Sequence, residues 1–112
     1  MERYDELAEN QRRAVLNTPG VTAPSLRQAV AARAAALGGG PAAGTGEIPE
    51  KLREYVDAIA LHADRITDED VAALLRAGCS EDEVFEVAVS AAVGAGLARL
   101  ERGLAVLRGG AR

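Results

Sequence analysis

The side chains best able to do chemistry in this sequence are His62, Glu86, Arg99 and Arg102. His62 is the single histidine, and an imidazole titrates near neutrality. Glu86 can hold or pass a proton, and two arginines three residues apart share a helix face from which they can grip a carboxylate. Such a set suits acid–base handling of a small carboxylate substrate. Each member also has a plainer use. His62 falls near the end of a helical pattern, where it can hold the last carbonyls, and the arginines suit a solvated or ion-paired surface. Cys79 is the only thiol, so it has no resolving partner, and Glu81, Asp82 and Glu83 beside it oppose a thiolate. A small buried apolar filler is the expected role. Asp64, Asp68, Glu69 and Asp70 surround His62 without a recognised ligand spacing, so neither a metal nor any other cofactor is expected.

The elements that would position these residues are all helical. Thr67 is followed three places on by Asp70, and Ser80 by Glu83, so two helices open with a hydroxyl that accepts from an orphan backbone N–H and an acid near the positive dipole end. Gly78 between them suits a left-handed stop. These helices are predicted over 68–77 and 81–108. Upstream, the spacing predicts helices over 2–16, from Ser25 to about Leu37 with Ser25 and Gln28 as a capping pair, and from Pro49 to about Ala63. No stretch alternates as a strand does. The fold class expected is therefore all-α, a small bundle of about five helices. The segment GGGPAAGTG, 38–46, reads as a linker between an N-terminal helical arm, 1–37, and a better specified core, 47–108.

The last helix is apolar over much of its circumference, with Val84, Phe85, Val87, Ala91, Ala95, Leu100 and Leu107 among its members. A helix of that kind is either buried centrally or shared between subunits. Gly94 and Gly96, with Ser90 and the neighbouring alanines, make a smooth patch on it. Glycine inside a helix costs about 1 kcal/mol relative to alanine, which close approach of another helix, within or between subunits, would offset. Ser90, Gly94 and Gly96 are the expected packing positions.

The phrase TDEDVAALLRAGCSEDEV, followed by a long Ala-rich helix, resembles the carboxymuconolactone decarboxylase and alkylhydroperoxidase D-like family over roughly 47–108. The resemblance implies an alkylhydroperoxidase D-like helical core. It also implies a Cys-x-x-Cys-x-x-x-His redox motif, which alignment on Gly78 and Ser80 would place near Ala63, Ile66 and Asp70. None of these is a thiol, and the alternative alignment, with 66–108 as the tail that follows the active-site helix, puts the motif in the N-terminal arm, which has no Cys or His, so peroxidase and disulfide-reductase activity are not expected. Glu86 lies where an acid would support the proton relay. The expectation is a non-catalytic protein that acts by oligomerisation or as an accessory to a protein partner. The alternative is a decarboxylase-like enzyme using His62, Glu86, Arg99 and Arg102.

Composition sets the remaining bounds. The chain has 112 residues, enough for one modest core, and hydrophobic residues make up 48% of it with only 3% aromatic. A core of Ala, Val and Leu buries little area per side chain, which favours a homo-oligomer held mainly by the third and fifth helices, with the N-terminal arm contributing less. A net charge of −4 argues against nucleic acid as a partner. All but one of the 13 basic residues are Arg, a bias of high-GC bacterial coding. Charge interrupts every apolar run, so no membrane association is expected, and the polar N-terminus and lone thiol point to the cytoplasm.

Overall fold

Local signals set the helix ends. The computed structural model describes residues 2–40 and 46–109; residues 41–45 of the linker read from the sequence lie outside the described residues. Five α-helices follow in order: α1 (Glu2–Leu16), α2 (Pro24–Leu37), α3 (Glu50–His62), α4 (Asp68–Arg76) and α5 (Glu81–Leu107), with a single 3-10 turn at Ala63–Arg65. No strand occurs among the described residues. The molecule is a small all-α bundle.

Both expected capping boxes form. The Thr67 hydroxyl accepts from Asp70 N–H at 3.2 Å while the Asp70 carboxylate accepts from Thr67 N–H at 2.9 Å. Ser80 and Glu83 repeat the exchange at 3.1 and 2.8 Å. Gly78 adopts φ +102°, which turns the chain sharply between α4 and α5 where a side chain would be strained. Two other expectations give way. No side chain caps α2: Ala23 is its N-cap, Pro24 opens it, and Gln28 instead donates to Asn17 at 3.0 Å. His62 makes no capping hydrogen bond, and the Ala60 carbonyl near the end of α3 is held by Arg99 at 2.5 Å.

α5 is the spine, packed most extensively along α2 and then along α3, α1 and α4. Their shared core contains Val30 and Ala34 from α2, Leu52 and Val56 from α3, Leu74 from α4, and Val84, Val87 and Ala91 from α5. Val30, Val56, Val87 and Ala91 are wholly buried, and Cys79 lies in the same cluster as a small filler. The core therefore spans the linker, and the N-terminal stretch supplies one of its walls, more than a peripheral arm would. Phe85, one of the apolar set around α5, is 68% exposed. Val87, two positions on, points into the core instead.

Candidate functional site

Glu86 is the best-connected of the sequence candidates. It accepts from Val21 N–H at 2.9 Å, Thr22 N–H at 2.9 Å and the Thr22 hydroxyl at 2.5 Å, so its carboxylate clamps the turn between α1 and α2. A methyl group added to Gly20 would meet this carboxylate at 2.7 Å, so the close approach depends on glycine there. The Thr22 hydroxyl first, then the Thr22 and Val21 N–H groups and the Arg27 charge, hold the Glu86 carboxyl below its ordinary pKa. A carboxylate with its lone pairs so occupied is an anchor rather than a ready base.

Arg27 lies beside it, 3% exposed. Its guanidinium donates to the Val15 carbonyl at 2.5 Å and to the Thr18 carbonyl, while Nε stands 4.0 Å from Glu86 without a hydrogen bond. A buried cation needs this compensation, because taking it out of water alone is costly. The sequence reading passed over Arg27. The signal was present nonetheless, since Arg27 falls three, four and seven residues before Val30, Ala31 and Ala34, on the face α2 buries. Arg33 and Asp57 were also missed; they form a two-pronged pair at 2.6 and 2.8 Å that joins α2 to α3 and raises the Arg33 pKa.

The other candidates are held apart. Arg99 turns to the Ala60 carbonyl and Arg102 to the Gly39 carbonyl at 3.2 Å, so the two arginines serve the ends of different helices. His62 is exposed at the end of α3. Among the described residues, no group of three or more His, Cys, Asp or Glu is arranged to hold a metal ion.

A cleft of about 350 Å³ opens between α1, α2 and α5, floored by Leu16, Ala31, Ala35, Gly94 and Ala98. Its rim is electrically self-satisfied: Arg12 pairs with Glu9 at 2.7 Å and with Glu101 at 3.2 Å, and Arg13 pairs with Glu9 at 3.5 Å. None of His62, Glu86, Arg99 or Arg102 lines it.

The three packing candidates separate by face. Ser90 is wholly buried and returns its hydroxyl to the Glu86 carbonyl at 2.8 Å. Gly94 lies against α2, where an added methyl group would meet the Ala31 carbonyl oxygen and come within 2.7 Å of the Ala31 Cα. Gly96 faces outward, with nothing within 4 Å of an added methyl group. It belongs to a face of α5 that no other part of the described chain covers. There Phe85, Ala92, Gly96, Gly103 and Leu107 are all exposed, and Val89 is half-buried. From Val84 to Leu107 the one charge on this outer arc is Arg99, whose guanidinium is turned aside to Ala60.

Compared with known proteins, the chain matches no family model, no curated protein and no solved structure. Among the described residues no helix is long and apolar enough to cross a membrane, so the exposed face of α5 is not part of a membrane-spanning helix.

Proposed function

We propose that this chain is a non-catalytic, alkylhydroperoxidase D-like helical protein of the bacterial cytoplasm that acts by association, through homo-oligomerisation or as an accessory to a protein partner. The observation that carries the reading is the outer face of α5, on which Phe85 is 68% and Leu107 73% exposed over a helix whose opposite side is the core of the molecule. Apolar surface left contiguous on a folded chain favours burial against another surface. The disposition of the polar groups supports it further. Glu86, Arg27, Arg99 and Arg102 are each bonded to loop or helix-end backbone, so among the described residues these four do not converge on a substrate position. The family assignment rests on the TDEDVAALLRAGCSEDEV phrase and on the paired capping boxes it forms.

Two measurements test this. Sedimentation equilibrium at micromolar concentration is expected to give a mass above that of the 11.6 kDa chain; a stable monomer overturns the homo-oligomer. A peroxide-consumption assay with external thiol is expected to match free cysteine, because Cys79 is buried and alone. Turnover that depends on Cys79 and exceeds free cysteine overturns the non-catalytic reading.

A further inference from the structure

Along the uncovered side of α5, Phe85, Val89, Ala92, Gly96, Arg99 and Gly103 recur at alternating intervals of four and three, and Val106 continues the series. That is the 3.5-residue spacing of a coiled-coil seam, the pattern by which one helix receives another. Most of it is open: Phe85 is 68% exposed, an added methyl group at Gly96 or Gly103 would have nothing within 4 Å, and Val89 alone is half-buried. We infer that this seam pairs with a second copy of the same chain, antiparallel, with Phe85 of each copy seated over Gly103 of the partner subunit.

Shape argues for that orientation. The register that sets Phe85 opposite Gly103 also sets Ala92 opposite Gly96 and Val89 opposite Arg99, so one large side chain meets one notch at each end and the middle is smooth. Two helices with Ala and Gly at their crossing approach closely enough for backbone contacts. A parallel pair would set Phe85 against Phe85 and leave the two glycine notches facing each other as a void, which forfeits packing contacts.

Charge argues the same way. The first turn of α5 carries Glu81, Asp82 and Glu83, whereas towards its other end Glu101 and Arg102 offset each other and Arg108 stands just past the last turn as the C-cap. Antiparallel pairing lays the acidic start of each helix beside the Arg108 cap of its neighbour and opposes the two helix dipoles; parallel pairing stacks acid on acid. Arg102 and Arg108 already bond to Gly39 and Asp5, and a guanidinium has five donors, so each keeps some for a further partner.

Size bounds the affinity. A 27-residue helix is roughly 40 Å long, and a seam about 10 Å wide buries on the order of 800 Å² over both copies. That lies below the range of stable specific interfaces and within that of weak, transient ones, so the dimer dissociates on dilution.

The inference rests on the association reading and is tested separately from it by orientation. In a Cys79→Ala background, which removes the only native thiol, Glu81→Cys and Leu107→Cys place one thiol at either end of the seam. Antiparallel pairing predicts that the two proteins, mixed and oxidised, form the Glu81→Cys to Leu107→Cys disulfide in preference to either same-site disulfide, whose thiols would lie roughly 40 Å apart. Gly103→Arg and Gly96→Arg, both at open positions, are expected to weaken the dimer by about tenfold or more in sedimentation while the helical circular-dichroism signal is kept. A dimer that gives mainly same-site disulfides, gives none, or ignores both arginine substitutions overturns this seam and leaves self-association standing. A wild-type chain that stays monomeric at high micromolar concentration overturns both.

Discussion

Gly94 and Gly96 show what a single position contributes, because they are two residues apart on one helix and face opposite ways. At Gly94 any side chain must displace the α2 backbone at Ala31, so Gly94→Leu is expected to destabilise by about 1–3 kcal/mol through overpacking, and Gly94→Ala in the same direction. At Gly96 only the intrinsic helix preference operates in the isolated chain, and Gly96→Ala should stabilise by up to about 1 kcal/mol. Thermal melts of the two variants should therefore move in opposite directions; a rise in melting temperature for Gly94→Ala would show that α2 yields easily at Ala31. Glu86 adds a dependence on pH. Its carboxyl is held below its ordinary pKa in the folded chain, so the stability it contributes is complete above the unfolded carboxylate pKa and is lost as pH falls through the lowered folded value. Glu86→Gln should flatten the acid limb of a stability-against-pH curve and cost about 2 kcal/mol at neutral pH. An unchanged acid limb would mean that other carboxyls govern it.

Among the elements, the strength of α4 and α5 lies in their starts. Thr67→Ala and Ser80→Ala each remove a hydroxyl that satisfies a backbone N–H, and each is expected to cost about 1 kcal/mol in denaturant unfolding. These caps, with the Gly78 turn, were legible in the sequence because every partner sits within four residues of its neighbour. The helical class and the five segments followed from the same short-range signals. What the sequence did not disclose depends on contacts made across the chain. Phe85 and Val87 are both apolar in a helix apolar all round, so periodicity alone could not say that Val87 enters the core and Phe85 leaves it. Glu86 stands out in the sequence as a proton-handling acid, but its partners, Val21 and Thr22, are more than 60 residues away. The Ser25 cap failed because Pro24 already opens α2 in the right conformation, which left no cap for Ser25 to make. His62 was read as holding the end of its own helix, and Arg99 does so from another.

At the scale of the whole molecule, the core is divided between the two sides of the linker, and neither side encloses it. Val30 and Ala34 belong to the same buried cluster as Val87 and Ala91, and α2 is the element packed most extensively along α5. A chain beginning at Gly46 is therefore expected to lose its sharp cooperative unfolding transition, although the two capped helices should leave residual helical circular dichroism. A sharp transition at the melting temperature of the intact chain would show that 46–109 is self-sufficient. This arrangement also has a consequence in time. The surface that receives α2 belongs to α5, and the carboxylate that clamps the α1–α2 turn is Glu86, so a ribosome making this chain releases α2 some fifty residues before its main partner exists. At synthesis rates of about 5–20 residues per second, that interval lasts on the order of several seconds. Throughout it an alanine-rich helix lacks its main docking surface, and Arg27, whose charge in the finished fold lies 4.0 Å from Glu86, helps to keep the apolar side of the nascent helix hydrated until α5 emerges.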